Sequence, residues 1–407
     1  MKKAFAAILK GKWAVFAAVV LLSSFFGYQL KYLQVDSNII DALPKSDTIV
    51  QQFKAVGERF GSNQIGLIII EADNVFEAAS LNHIQQVSDS LALIQGVISV
   101  TSITNMRSFQ AEDDNFEVDD LISRARWPET KADADSIREV ITQNKMVTGS
   151  LVAADGSSAI VLFYFQNDAD AESVAKNVRQ MLKDLNLPEH IYFAGTTFLT
   201  TYVSEIIATD MLKLIPISFV LIALILHLSF KSTRGVVLPL LSAGLAILWA
   251  VGSFVLMGFK LSMVSNNVPI IILAVGSAYS IHVINRISQS LESNNTQAVL
   301  KSMTVVALPV ILAALTTMIG FLSFIFGSYL SMIRDFGILA ALGTVYSAVL
   351  AVIFVPAMQV LFPPKKKVVQ TESAPKETFM SKNFLKPLYT VIVTHPKRIL
   401  LVWIVLV

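Results

Sequence analysis

The chain of 407 residues contains no cysteine, and only 15% of its residues are charged. Disulfide bonds and zinc sites built on thiolates are therefore excluded. Five histidines are present, scattered along the sequence, and no glycine-rich phosphate loop or nucleophile–base pair is recognisable. These absences argue against an enzyme. We expect no catalytic residues, no metal site, no bound cofactor and no nucleic-acid partner.

Apolar residues make up 54% of the chain, and its mean hydropathy is +0.61. Such a composition is typical of a membrane-embedded protein. A bilayer core of about 30 Å needs about 20 apolar residues per helix, and six runs of this kind occur. The predicted spans are Trp13–Leu30, Met211–Phe230, Gly235–Met257, Met263–Ile284, Thr304–Ile325 and Gly337–Leu361.

The two ends of the chain also carry apolar runs. The last one begins at Ile399 and stops at Val407, about half of a span, so we expect a fragment of a longer protein. The first run could alternatively be a cleavable signal peptide, but no small-x-small site closes it.

Charge is distributed unevenly between two parts of the chain. Residues 31–210 hold 13 Lys/Arg and 26 Asp/Glu, whereas the rest holds 19 and 4. Lys/Arg-rich segments mark the cytoplasmic side of a membrane. The segment before the first span and the linker at 363–398 are therefore predicted to be cytoplasmic, and the acidic region to be extracytoplasmic.

The acidic region has the pattern of an α/β domain. Two apolar strands, at Gln64–Ala72 and Gly96–Asn105, flank a helix with apolar residues at three-to-four spacing. After a polar insertion, Asp155-Gly156 lies between two apolar runs and predicts a hairpin. A helix and the strand His190–Thr196 follow. The order predicts a split βαβ, ferredoxin-like sandwich with an added strand.

The insertion contains the acidic stretch Ala111–Asp120. A calcium loop needs alternating acidic ligands and a mid-loop glycine, and both are missing. We interpret the stretch as a solvated acidic face.

The predicted fold class is a polytopic α-helical membrane protein with an extracytoplasmic α/β domain between the first and second spans. The predicted divisions are residues 1–30 (cytoplasmic N-terminus and first span), 31–210 (the α/β domain), 211–362 (spans two to six), 363–398 (basic linker) and 399–407 (start of a seventh span).

Several motifs occur in a characteristic order. They are FKAVGERFGSNQIGLIII, AGTTFLTTYVSEIIATDMLKLIPISF, SFKSTRGVVLPLL, VGSAYSIHVINR, LTTMIGFLSF and IRDFGILAALGTVYSAVL. With them, nearly the whole chain resembles the N-terminal half of permeases of the resistance–nodulation–division (RND) superfamily, in the MMPL-type branch of predicted hydrophobe and lipid exporters. The resemblance implies a porter-type periplasmic domain, a proton-coupled membrane half in the bacterial inner membrane and hydrophobic cargo.

VGSAYSIHVINR departs from the family pattern in the fourth span. Many relatives carry a four-residue motif here, in which glycine is followed by any residue, then aspartate, then tyrosine. That aspartate is the proton carrier. Glycine aligns with Gly276 and tyrosine with Tyr279, so the aspartate position is Ala278. Alanine cannot titrate, and the resemblance therefore leaves the energy source open.

His282 lies four residues after Ala278, on the same helical face. Its unperturbed pKa is about 6.5, and ionisable groups in spans are by default functional candidates. We therefore consider His282, with Tyr279, Ser280 and Asn285, as candidates for a proton relay or conformational coupling. Packing through hydrogen bonds to a neighbouring helix is an equally weighted alternative.

Other small and polar residues are predicted to take part in contacts between helices. Gly276, Ser277 and Gly320 are predicted to permit close helix packing. Thr316 and Thr317 are coupling candidates that could hydrogen-bond to the fourth span, or equally to carbonyls of their own helix.

The leading function is export or transfer of a lipid-like or hydrophobic molecule by an inner-membrane transporter, driven by the proton-motive force if a substitute carrier exists. The alternative is a non-transporting, lipid-sensing regulatory or scaffolding protein. The expected partners are the membrane, the hydrophobic substrate and a missing second half of the same fold. A homo-oligomer or a periplasmic partner protein is left open.

Overall fold

The chain divides into two compact units, Met1–Phe362 and Pro363–Val407. The computed structural model describes residues 2–35, 43–44, 46–60, 63–112, 115–122, 127–166, 169–230, 232–290, 295–363 and 386–395. The described part of the second unit contains one helix, Lys386–Thr394. The predicted start of a seventh span at Ile399 and most of the linker lie outside the described residues.

Six long apolar helices confirm the polytopic helical architecture. In the described chain, six helical segments are long and apolar enough to cross a membrane. A short helix, α1 (Lys2–Lys10), precedes them. The six segments are α2 (Lys12–Gln29, extended by a 3₁₀ turn to Tyr32), α7 (Thr196–Phe230), α8 (Thr233–Leu256), α9 (Val268–Ser288, preceded by the 3₁₀ turn Ser265–Asn267), α10 (Asn295–Gly327), and α11 (Ser331–Val349), which continues through the π-helical segment Leu350–Phe354 into α12 (Val355–Leu361).

Helix α7 differs from its predicted bounds. It begins at Thr196 and runs without a break through residue 210, where we had placed the end of the α/β domain. Its 35 residues measure about 50 Å, which exceeds the hydrocarbon thickness of about 30 Å. Hydropathy locates only the apolar part of such a helix, which is why the sequence placed its start near Met211.

Between α2 and α7 the chain forms an α/β region. Its elements are α3 (Thr48–Phe60), β1 (Gln64–Glu71), α4 (Ala78–Ala92), β2 (Val97–Thr101), β3 (Arg107–Glu112), β4 (Asn115–Asp120), α5 (Lys131–Gln143), β5 (Ser158–Phe165), α6 (Ala171–Leu185) and β6 (His190–Ala194). Four strands form an antiparallel sheet in the order β2-β5-β1-β6. With α4 and α6 as the two crossovers, this is the split βαβ order.

The sheet and its helices bury the apolar positions that the periodicity predicted. Ile68 and Ile70 of β1, and Phe163 of β5, are fully buried in one core with Leu81 and Ile84 of α4. Strand residues two apart and helix residues three apart share a face. The alternating residues of the strands and the three-to-four-spaced residues of the helix therefore form a single apolar layer.

The insertion and the predicted hairpin differ in detail from the sequence prediction. The turn at Asp155-Gly156 is present, with Gly156 at φ +75°. The arm before it pairs only through an isolated bridge between Val152 and Ala159 rather than an added strand. In the insertion, β3 and β4 form a separate two-stranded sheet. The side chains of most of the acidic stretch 111–120 lie outside the described part.

Gly195 is the tight connection between β6 and α7. Its φ is +91°, and a Cβ there would lie 2.5 Å from the Ile65 carbonyl oxygen. We expect Gly195→Ala to lower the free energy of unfolding by about 1–3 kcal/mol, because the alanine would be strained at this positive φ and its Cβ would clash with the backbone at Ile65. Thermal unfolding of purified protein measures this. Gly149→Ala is the control: its φ is +80°, but no described atom lies within 4 Å of the added Cβ. Equal losses in the two variants would contradict the prediction.

Candidate functional site

Helix α9 carries the polar motif and lies between three other membrane helices, α8, α10 and α11. Pro269 occupies its first turn, where a missing N–H breaks no helical hydrogen bond. Gly276 permits a close approach: a Cβ there would lie 2.6 Å from Ser347 Oγ of α11 and 3.4 Å from the Cβ of Ala243 on α8. The helix is therefore held closely on one side by small residues.

The polar residues of α9 divide between two faces. Ser280 is fully buried, whereas His282 and Asn285 are exposed on the opposite side of the helix. Tyr279 is 7% exposed and borders the same groove as His282. Because a helix turns 100° per residue, positions four and seven after Ala278 share its face, and position 280 does not. Of the polar stripe predicted from the sequence, Tyr279, His282 and Asn285 thus line one groove, and Ser280 lies apart from them.

The exposed face of α9 forms one wall of a groove, and α10 forms the other. The groove has a volume of about 440 Å³. Its lining residues are Ala278, Tyr279, His282, Asn285, Arg286 and Gln289 of α9, and Val306, Pro309, Val310 and Ala313 of α10. The α10 wall is apolar, and the polar side chains of the groove all belong to the α9 wall.

Within the groove, His282 is the one imidazole among the lining residues. None of the lining residues is an aspartate or glutamate. Arg286 is exposed and fixes a positive charge one turn after His282. Asn285 Oδ1 accepts a long hydrogen bond of 3.5 Å from Gln289 Nε2.

The threonines of α10 do not join this constellation. Thr316 and Thr317 both donate hydrogen bonds to the Ala313 carbonyl, at 2.9 Å each. The sequence left open whether these threonines bond to the fourth span or to carbonyls of their own helix. In the structure they bond to their own helix. A local carbonyl is always within reach of a helical threonine, so it competes well with a partner on another helix.

The three residues predicted for packing behave differently. Gly276 lies at a close helix contact, as described above. Ser277 is buried and donates to the Ala274 carbonyl at 3.0 Å. A Cβ at Gly320 would meet no atom within 4 Å among the described residues. The predicted packing role of Gly320 therefore has no partner in this part of the protein.

Sequence reasoning missed Arg286 and Gln289 as lining residues, and it missed the whole α10 wall. The signal for the first two was available, because positions 278, 282, 285 and 289 follow one helical face. The α10 wall consists of apolar residues that the sequence does not distinguish from residues facing lipid.

A second groove lies between α10 and α11 and is apolar throughout. Its volume is about 330 Å³. It is lined by Ile311, Ala314, Leu315 and Met318 of α10, and by Val345, Ala348, Val349, Val352 and Ile353 of α11 and the π-helical segment. Small and β-branched side chains leave space here that only an apolar group can fill without losing hydrogen bonds. In the described part of the chain, no three His, Asp or Glu side chains converge in a way that would hold a metal ion.

Two comparisons with known proteins agree with this architecture. The profile of the MMPL family matches residues 41–399. A protein of Methanocaldococcus jannaschii, whose name describes it as a candidate membrane protein, is 20% identical over 362 residues, covering 84% of this chain and 89% of the relative. The family match includes the α/β region and the helices that form both grooves. The chain is a polytopic membrane protein that belongs to the MMPL family.

Proposed function

We propose that this protein is a transporter that exports or transfers lipid-like or other hydrophobic molecules across or out of the bacterial inner membrane. Membership in the MMPL family supports a transporter-like role in the membrane. The α/β region is assigned to the periplasmic side, because it carries the acidic excess. We assign the protein no enzymatic reaction, no cofactor and no nucleic-acid partner.

The observation that carries the proposal is the groove between α9 and α10. His282, Asn285 and Gln289 are exposed on the side of a membrane helix. Polar groups at such positions cost free energy against lipid unless a protein group or water satisfies them. A second layer of helices, from a second half of the same fold or a second copy, would cover the groove and create an internal polar path.

His282 is the proposed proton carrier of this path. Ala278, at the position where related proteins carry the aspartate, lines the same groove one turn before His282. A proton carrier displaced by one turn would still face the same neighbours on a covering helix. We infer that His282 charges when the path opens to water and discharges when it closes.

The apolar groove between α10 and α11 supports the assignment of the cargo. Its lining side chains offer no hydrogen bond, so an acyl chain or a comparable hydrophobic segment is the ligand class it fits. A polar solute would lose its hydration there without compensation.

The test is transport in proteoliposomes of the purified protein. We expect a fluorescent phospholipid to be transferred faster than in protein-free liposomes, with acceleration by an imposed pH gradient, whereas a small charged dye is not moved. Movement of the charged dye alone would overturn the lipid assignment. Binding of lipid without any transfer would favour instead a lipid-sensing regulatory protein, which the alanine at position 278 makes the second candidate.

Orientation in the membrane is tested independently, and the absence of native cysteine makes the experiment clean. A single cysteine placed at the exposed Asp155 is expected to react with a membrane-impermeant maleimide in intact cells. A cysteine at the exposed Lys3 of α1 should react only after the membrane is permeabilised, because the basic N-terminus is cytoplasmic. The reverse labelling pattern would contradict the proposed orientation.

A further inference from the structure

Helix α1 (Lys2–Lys10) uses one face to pack against the membrane helices α10 and α12. Phe5 and Leu9 are one turn apart on this face and are 6% and 4% exposed. They belong to the same apolar cluster as Val299 of α10 and Val360 of α12. Burial of two large apolar side chains stabilises this position, so α1 is fixed at the end of the bundle where α10 begins and α12 ends.

The opposite face of α1 is basic and exposed. Lys3, Ala7 and Lys10, here termed the lysine face, are all exposed, and positions with this i, i+4, i+7 spacing share one side of a helix. The two lysines are about 10 Å apart along the helix axis. The side chain between them is a methyl group, so no bulky group separates the two ammonium groups.

The charge of the lysine face is not neutralised by the described part of the protein. None of the ion pairs between described residues involves a lysine of α1. In residues 2–35 and the described residues of 211–363, Asp335 is the only carboxylate. It lies near the start of α11, which follows the far end of α10. Since α1 packs where α10 begins, this carboxylate is on the other side of the membrane.

Further cations lie at the same end of the membrane helices as α1. Arg234 is in the first turn of α8, and its guanidinium donates a hydrogen bond of 3.2 Å to the Phe362 carbonyl just beyond α12. Arg286 is in the last turn of α9. These arginines add to the positive potential around α1. The surface at this end is therefore complementary to a layer of negative charge.

Helix α1 lies at the depth of the lipid headgroups. Gly11 alone separates it from the first span, α2, which begins at Lys12. Trp13, in the first turn of α2, is 64% exposed, and tryptophan at the end of a span is typical of the membrane–water interface. The ammonium groups of α1 are therefore within reach of lipid phosphates.

We propose that the lysine face of α1 binds the headgroups of anionic phospholipids, in the leaflet that is cytoplasmic in the proposed orientation. An ammonium group has three donors for phosphate oxygens, and clusters of about four or more basic residues beside a span attract anionic lipids. Lys2, Lys3, Lys10 and Lys12 form such a cluster. A zwitterionic headgroup brings a positive charge of its own and gains less from it.

A lipid bound to the lysine face is linked to both grooves through α10. Phe5 and Leu9 share their apolar cluster with Val299 and Met303, near the start of α10. The same helix forms one wall of each groove. Anionic lipid is therefore expected to stabilise the packing of α1 against α10.

The test is a titration of the purified full chain in detergent with mixed micelles of phosphatidylglycerol or, separately, phosphatidylcholine. We expect phosphatidylglycerol to raise Tm in a saturable way and phosphatidylcholine to do so far less, because a ligand that binds the folded state stabilises it. High salt should weaken the difference, since exposed charges are screened. The second readout is the phosphatidylglycerol retained per chain after size-exclusion chromatography, measured by mass spectrometry. Both readouts report binding alone, so their outcome is independent of whether the protein transports lipid.

Paired substitutions locate the lipid. Lys3→Gln combined with Lys10→Gln should raise the phosphatidylglycerol concentration for half-maximal effect by about 25-fold, or about fivefold for each lysine near an anionic surface. Lys145→Gln combined with Lys183→Gln removes the same charge from exposed positions of the α/β region and should leave that concentration unchanged. Lys3→Arg combined with Lys10→Arg keeps the charge and should preserve binding.

Two results would overturn the proposal. One is an equal rise in Tm with the two lipids, which would mean that α1 does not recognise headgroup charge. The other is an unchanged response in the double glutamine variant, which would assign the phosphatidylglycerol effect to basic residues elsewhere. Lys3 and Lys10 are exposed, so their replacement is not expected to unfold the protein.

Discussion

Replacement of His282 by alanine is expected to reduce lipid transfer in proteoliposomes to the rate of protein-free liposomes. The imidazole lines the α9–α10 groove, and the other lining residues include no second histidine and no carboxylate. Its loss removes the proposed proton carrier but creates no buried cavity, because the side chain is exposed. The transfer rate under an imposed pH gradient, at equal reconstituted amounts, is the measurement.

Two further variants separate coupling from packing. His227→Ala is the matched control, since His227 is also an exposed histidine of a membrane helix but lies on α7, outside the groove. Ala278→Asp restores a titratable group one turn from His282 and should make transfer more sensitive to the proton gradient. Unchanged transfer in His282→Ala would leave the histidine with a packing role alone and would refute proton transfer through this residue.

Gly252→Val is expected to destabilise the membrane helices more than any other single glycine substitution on α8. A Cβ at Gly252 would lie 2.6 Å from the Phe26 carbonyl oxygen and 3.0 Å from its Cα, so backbone and not a flexible side chain opposes it. Helices α2 and α8 would have to separate, which also breaks the 2.9 Å hydrogen bond from Trp249 Nε1 to Ser23 Oγ.

Overpacking of this kind costs about 1–3 kcal/mol, and more where backbone must move. We therefore expect a clear loss of Tm in detergent, with early aggregation in size-exclusion chromatography. Gly320→Val provides the control, because no described atom lies within 4 Å of a Cβ at Gly320. A Tm of Gly252→Val equal to that of Gly320→Val would show that the α2–α8 contact does not limit stability.

The sequence by itself determined the membrane architecture and the strand order. Six apolar runs predicted six helices, because the bilayer fixes the length of a span and penalises charge in it. In the α/β region, the alternation along Gln64–Glu71 and the three-to-four spacing of Leu81, Ile84 and Val87 determined which faces are buried. Such signals are local, so one sequence is sufficient to read them.

Only the tertiary structure decided which polar residues share a site. Ser280 lies two residues before His282 in sequence, yet it is buried while His282 is exposed, since such positions on a helix point in nearly opposite directions. Gly276 and Gly320 are the same residue type, but only Gly276 has a neighbour close enough to need glycine. Such contacts depend on how helices pack against one another, and the hydropathy pattern of a single sequence does not specify that packing.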